Sequence, residues 1–443
     1  MNLLSKIKFI IFINFSCYLC SQGPSSRRID VENNAYGEYF IQRSSENLNQ
    51  TSNDDYKKEI DAFYLTFQDY FNDKVNKLKL PGKPTILCRR DNFVLSVVSW
   101  IWVFKIMDWF NCEHTVKFLK EAGADCGGLT REYFTNAIDK YFIEERNLLY
   151  SPNGDYQNFL PYKNAKLNHN IRRLSFNALG SILGLIIQKK LTADVRLNLI
   201  VWKIIRGEKI TKNDHINVDP EIYKNLLKLK KSPELLKRSK LKFEDMYGKE
   251  LKENGSNIYV DKSNIDDYIE KLLRANFEEN IKEECGWISE GIFAVIPEKK
   301  FKMLSIAALL KIIGGENIID FEDWKAHTIY DKNYTAGSDQ IKWFWDIIKD
   351  FNQKDRGKVL QFATGLNKPP MGGFKNFRYR SIMKNFNICL PGLKDGCKGY
   401  DEQLPEAATC NFTLKLPLYS SKAILKEKLV MAMHWIDSGF QYI

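Results

Sequence analysis

Cys410 stands in the strip Leu404-Pro405-Glu406-Ala407-Ala408-Thr409-Cys410-Asn411-Phe412, near the carboxyl end of a 443-residue chain. A thiolate is a strong nucleophile near neutral pH, and the ordinary cysteine pKa of about 8.5 needs only modest lowering to supply one. The chemistry such a residue suits is covalent acyl transfer. The plain alternative is a buried packing residue, the commoner fate of a lone cysteine. The remaining thiols are Cys17, Cys20, Cys88, Cys112, Cys126, Cys285, Cys389 and Cys397, so the total of nine is odd and the spacing irregular. Cys17 and Cys20 form a CxxC inside an apolar run, with no second CxxC and no histidine at ligand spacing. Neither a metal site nor a cofactor is expected, and scattered thiols in so long a chain do not suggest a disulfide framework. The pattern suits a reducing compartment. A cysteine hydrolase would need a histidine to activate the thiol, and His114, His169, His215, His327 and His434 form no recognisable hydrolase motif.

A nucleophile needs a scaffold, and the chain is long enough for two or more lobes. Hydrophobic residues make up 44% and aromatics 13%, which argues against disorder. The formal charge is +11, from 66 Lys+Arg against 55 Asp+Glu. The excess is spread along the chain and no reader motif accompanies it, so no nucleic-acid partner is expected. Residues 1–21 carry Lys6 and Lys8 before an apolar stretch from Phe9 to Cys20, with Gly23-Pro24-Ser25-Ser26 after it. That arrangement is signal-peptide-like and admits secretion, although an amphipathic or misplaced start fits equally. The stretch is short for a membrane-spanning helix. Phe93 to Phe110 is interrupted by Ser96, Ser99, Lys105 and Asp108 and reads as a buried helix, so no stable membrane span is expected.

Residues 22 to about 55 read as polar linker, followed by a helix over 56–80 that Pro81-Gly82 stops. From about 84 to 313 the pattern is mainly helical with short strands. One long helix carries Leu174, Ala178, Leu179, Ile182, Leu183 and Ile186. Gly180 and Gly184 share a face of it and admit close approach by another element. Gly207 ends the next helix. Tyr223 to Leu251 is lysine-rich with interleaved leucines and reads as a small solvated subdomain. Gly314-Gly315 is the most hinge-like point. Beyond it come a helix around Trp343 to Phe351, a turn at Pro369-Pro370-Met371-Gly372-Gly373, a strand at Leu414 to Leu418 and an amphipathic helix from Lys422 to Trp435. The class is α+β.

The Cys410 strip, with Leu414-Lys415-Leu416-Pro417 and Tyr419-Ser420-Ser421-Lys422 behind it, resembles the active-site strip of HECT ubiquitin ligases. Upstream, in the family's order, Arg89-Arg90-Asp91 resembles the domain's opening. The run Gly123-Ala124-Asp125-Cys126-Gly127-Gly128-Leu129-Thr130-Arg131-Glu132-Tyr133-Phe134 resembles its Gly-Gly signature. Val218-Asp219-Pro220-Glu221-Ile222-Tyr223, Leu251-Lys252-Glu253-Asn254-Gly255, Leu360-Gln361-Phe362-Ala363-Thr364-Gly365 and Met371-Gly372-Gly373-Phe374 complete the set. Each motif is weak alone, and their common order makes the resemblance specific.

The resemblance implies a bilobal architecture: an N-lobe over 85–313 containing a conjugating-enzyme-binding subdomain at about 220–285, a hinge at 314–316 (Gly314, Gly315) and a C-lobe over 317–443. Cys410 would accept ubiquitin from a conjugating enzyme as a thioester and pass it to a substrate lysine. Thr409 would support the thiol by hydrogen bonding, Asp125 would orient the lysine, and Phe440 would dock the C-lobe on the N-lobe. Ile222, Leu226, Leu241, Phe243 and Tyr268 would line an apolar docking groove. Against these stand plain readings: Asp125 as a turn or cap residue, Ile222 and Leu226 as core, Phe440 as packing. The chemistry implies a cytoplasmic protein. The chain departs from the family at Ala408, where a histidine is common, and at Asn411-Phe412, which reverses the usual aromatic-then-Asn order. The segment Tyr379 to Tyr400 is longer and more basic than expected. A degenerate domain that holds ubiquitin or a conjugating enzyme without catalysis is the competing function.

Overall fold

A computed structural model describes residues 84–443 except 91–92, 120, 122–124, 126, 144–147, 153–157, 163–167, 246–247, 317, 332, 380–381 and 435–443. The signal-like segment, the linker and helix before residue 84, and Phe440 therefore lie outside the described residues.

The described residues build two hydrophobic cores, one drawn from Ile86 to Ile313 and the other from Ile319 to Met433. The first opens with β1 (Thr85–Cys88), α1 (Phe93–Met107) and β2 (Thr115–Phe118). The two strands pair in parallel, Thr85 opposite Thr115 and Cys88 opposite Phe118, with α1 as the crossover that a parallel pair requires. Val97, Ile101 and Phe104 of α1 are buried, so this apolar stretch is a core helix. Among the described residues no helix is long and apolar enough to cross a membrane.

Next come α2 (Gly128–Ile143) and α3 (His169–Gln188). The side chain of Asn168 accepts from the Asn170 amide at the start of α3. Leu179, Ile182, Leu183 and Ile186 of α3 are fully buried. The shared glycine face does what its spacing suggests. A Cβ on Gly180 would collide with the Ile288 carbonyl, and one on Gly184 would lie 2.9 Å from Val295 Cβ; a Cβ on Gly291 would strike the Asn177 carbonyl in return. Only glycine lets these two helices approach backbone to backbone.

Helix α4 (Leu199–Arg206) ends at Gly207, whose φ of 71° is the left-handed cap that glycine adopts freely. The lysine-rich segment then forms most of α5 (Pro220–Lys231) and all of α6 (Pro233–Ser239), and α7 (Ile265–Phe277) follows it. Asp219 accepts from the amides of Glu221 and Ile222, and Pro220 takes the first helical position, where its missing N–H costs nothing. The chain returns to the core through α8 (Lys282–Val295) and leaves it through α9 (Ile306–Gly314).

The second core surrounds a four-stranded mixed sheet of β3 (Thr328–Tyr330), β4 (Phe386–Cys389), β5 (Glu406–Ala408) and β6 (Thr413–Lys415), in the order β3-β4-β6-β5. β4 runs parallel to β3 and to β6, while β5 and β6 are antiparallel. Helices α10 (Asp339–Asp350), α11 (Gln353–Thr364) and α12 (Lys422–His434) complete it. The expected strand at Leu414 to Leu418 is shorter. Leu416 still donates to the Cys389 carbonyl at 2.8 Å, but Pro417 has no N–H to carry the ladder on. The class is α+β, as the sequence suggests.

Candidate active site

Strands β5 and β6 are joined across Thr409 to Phe412, with Ala408 facing Thr413 at the closing pair. The short stretch Thr409–Asn411 is a single 3-10 turn, and Cys410 sits at its centre as a free, half-buried thiol. Phe412 ends the turn at φ 54°, in the left-handed region. A non-glycine residue there costs about 1–2 kcal/mol. Burying a phenylalanine recovers about 1.5–3 kcal/mol, and this ring is 1% exposed, with its centroid 4.9 Å from that of Phe377. Burial therefore holds the turn in its strained shape. The Asn387 amide donates to the Phe412 carbonyl at 2.9 Å, and Lys384 Nζ donates to Asn411 Oδ1 at 3.0 Å.

The turn also meets the first core. A Cβ on Gly128, the first residue of α2, would collide with Thr409 Oγ1 and lie 3.0 Å from the Cys410 amide nitrogen. One turn further along α2, Arg131 is 5% exposed. Its Nε donates to the Thr364 carbonyl at 3.0 Å, its Nη2 donates to the Thr409 carbonyl, and its guanidinium lies 4.6 Å from the Phe412 ring centroid. The sequence contains this residue in its Gly-Gly strip, yet nothing in the local pattern assigns it this contact.

Asp125 is committed elsewhere. Its carboxylate accepts from the Val116 and Gly127 amides at 2.7 Å each, from the Thr130 amide at 3.3 Å and from the Thr130 hydroxyl at 2.5 Å. Four donors are about what a carboxylate accommodates, so its geometry is that of a cap tying β2 to the start of α2. Thr409 also differs from expectation: it contributes a carbonyl to Arg131, and among the described residues no hydrogen bond joins its hydroxyl to the Cys410 sulfur.

Burial pushes the thiol of Cys88 up to about 11 and also raises those of Cys112, Cys285 and Cys389. The side chains of His114, His169, His215 and His327 are engaged away from Cys410, and that of His434 lies outside the described residues. His114 is buried with Nδ1 at 3.3 Å from the Cys112 carbonyl; His169 pairs with Glu283, His215 with Glu278 and His327 with Asp323. Among the described residues no group of three or more His, Cys, Asp or Glu is placed to hold a metal ion.

The expected docking groove is mostly interior. Phe243 is fully buried and Tyr268 and Leu226 nearly so, Leu241 is half-buried, and only Ile222, at 37%, is exposed. Phe243 packs edge-on against Tyr268 at 5.5 Å and takes the Lys252 ammonium on its face at 3.4 Å. Leu226, Phe243 and Tyr268 belong to the first core, with Leu241 packed against it. Gly314 faces open space, whereas Gly315, at φ 64°, would drive a Cβ into the Pro369 carbonyl. Glu316 donates to that same carbonyl at 3.0 Å.

Residues 129–443 match the family described as HECT-domain (ubiquitin-transferase). The chain is 30% identical over 332 residues to the probable E3 ubiquitin-protein ligase TOM1 of Eremothecium gossypii, covering 73% of this chain and 10% of that one. It is 32% identical over 341 residues to E3 ubiquitin-protein ligase UPL1 of Arabidopsis thaliana, covering 74% and 9%. With E3 ubiquitin-protein ligase pub3 of Schizosaccharomyces pombe it shares 30% over 373 residues, covering 82% and 46%. The family match spans well over half of the sequence, and the chain belongs to the HECT-domain family. It spans about a tenth of the length of the first two relatives and under half of the third.

Proposed function

We propose that this chain is a ubiquitin-protein ligase in which Cys410 accepts ubiquitin from a conjugating enzyme and passes it to a substrate lysine. The supporting observation is the placement of Cys410: a free, half-buried thiol on a turn whose backbone is held from both cores. In loading, the Cys410 thiolate attacks the carbonyl carbon of the incoming thioester and the conjugating enzyme's cysteine leaves as thiolate. Like replaces like, so no metal and no external energy are needed. In discharge, a neutral lysine amine attacks the same carbon, the Cys410 thiolate leaves, and the amine gives its proton to solvent. The amide product makes that step favourable.

The first core, over 85–313, serves as N-lobe and the second, over 317–443, as C-lobe, with residues 314–316 as the hinge. The conjugating enzyme docks on the subdomain at about 220–285 through Ile222, with Leu226, Leu241, Phe243 and Tyr268 as the scaffold beneath. Phe440 is assigned to lobe docking by resemblance. Partners are ubiquitin, a conjugating enzyme and protein substrates, which places the reaction in the cytosol. A second reading, a domain that takes or binds ubiquitin with little discharge, is favoured by Ala408 and by the engaged Asp125 carboxylate.

The test is adduct formation with activating enzyme, conjugating enzyme, ubiquitin and ATP. Wild type is expected to give an adduct cleaved by reductant; Cys410→Ser, an ester that survives reductant and yields to hydroxide; Cys410→Ala, none. An undiminished adduct in Cys410→Ala sinks the ligase reading. A wild-type adduct that free lysine does not discharge supports the second reading.

A further inference from the structure

Hydrogen bonds from residues 319–434 reach residues 85–313 at Arg131, Thr192 and Asp194, all of which lie outside the small subdomain. The turn of Cys410 is thus seated on the start of α2, away from the surface assigned to the conjugating enzyme. To be loaded there, the turn must leave α2. Leaving breaks the Arg131 bond to the Thr409 carbonyl, lifts the Phe412 ring off the guanidinium and opens the close fit of Thr409 on Gly128.

We propose that Arg131 is a positioning residue that seats the Cys410 turn on α2 for transfer to lysine, and that it plays no part in loading. The inference rests on Cys410 being the ubiquitin carrier. Three features of Arg131 suit the role. The guanidinium stays charged and exchanges no proton, so it positions without doing acid-base chemistry. Its planar fork reaches two carbonyls from different elements, Thr364 on α11 and Thr409 in the turn, which a single ammonium does less well. Its flat face rests on Phe412, the strained residue that shapes the turn. Attack by the amine forms the C–N bond as the C–S bond breaks, and it needs the thioester carbon held still for a weak, dilute nucleophile. Loading delivers its acyl group on a docked partner and tolerates a looser turn. Misplacement by about 1 Å costs as much as 100-fold when a reaction depends on such alignment.

The test separates the two steps on the full chain. Loading is followed in a rapid-mixing experiment with ubiquitin-charged conjugating enzyme. Discharge is followed after recharging is stopped, by chasing the preformed adduct with free lysine. Arg131→Met is expected to load within about twofold of wild type and to discharge about tenfold slower or worse, with Arg131→Lys between. Gly128→Ala gives an independent arm. Alanine is favoured in a helix, and the added methyl displaces Thr409 without removing any group from the first core. The same split is expected, and this variant decides the matter if Arg131→Met does not fold. Equal losses in both steps, or none in either, overturn the inference while leaving the ligase reading intact. A wild type that forms no adduct overturns the ligase reading, and the inference with it.

Discussion

At the scale of the residue, the turn around Cys410 is governed by its neighbour. Phe412 occupies a left-handed conformation because its ring is buried against Phe377 and under Arg131. The order Asn411-Phe412 puts the aromatic, not the asparagine, at the strained position, leaving Asn411 exposed and bonded to Lys384. Phe412→Ala keeps the backbone strain and loses the packing, so it is expected to destabilise the fold by about 3 kcal/mol, read as a shift in urea midpoint. A change below about 1 kcal/mol would mean that the ring does not hold the turn. Asp125 makes the complementary point: an acidic residue beside Gly-Gly reads more readily as a turn or cap residue than as a functional one, and its four donors have the geometry of a cap.

At the scale of the element, amphipathic spacing tells which residues of a helix are buried but not whether the burial is internal or against a partner. Ile222 and Leu226 lie four apart on α5, yet one is exposed and the other is in the core with Phe243 and Tyr268. The two kinds of residue should separate on mutation. Ile222→Ala is expected to slow loading from the conjugating enzyme at least several-fold while shifting the thermal midpoint by no more than a degree or two, a surface-sized effect. Phe243→Ala is expected to cost about 3–5 kcal/mol of stability. If Ile222→Ala loads at the wild-type rate, the docking surface lies elsewhere on the subdomain. One alternative is the groove of about 660 Å³ between Pro233, Leu236, Lys240 and Tyr259.

At the scale of the whole molecule, the two cores meet through a charged cluster as well as through Arg131. Lys368, just after α11, bonds Asp194 at 3.1 Å, and the Thr192 hydroxyl donates to the Lys368 carbonyl at 3.0 Å. Asp139 on α2 shares the cluster. Burial, and next the charge of Asp194, push its carboxyl up to about 6. A carboxyl whose folded pKa lies above its unfolded one binds its proton more tightly when folded, so the fold loses stability as pH rises from about 4 to about 6. Asp139→Asn removes this half-buried charge. It is expected to be more stable than wild type at pH 7, with the gap closing as pH falls through 6 towards 4. Urea midpoints at pH 4, 5, 6 and 7 measure this, and a gap that does not change with pH would show that Asp139 is not the group responsible.

Much of the molecule was determined by sequence alone, because it depends on short-range pattern. The buried α1, the glycine face of α3, the Gly207 cap, the α+β class and the candidate nucleophile are all legible within a few residues, since helix period, turn chemistry and residue type act locally. Only the tertiary structure decided which faces meet. Arg131 and Thr409 stand 278 residues apart, and no local pattern encodes their contact. The interior place of Phe243, packed against Tyr268 of α7, is likewise a matter of the assembled fold, because buried area belongs to the packed elements and not to any one stretch of the chain.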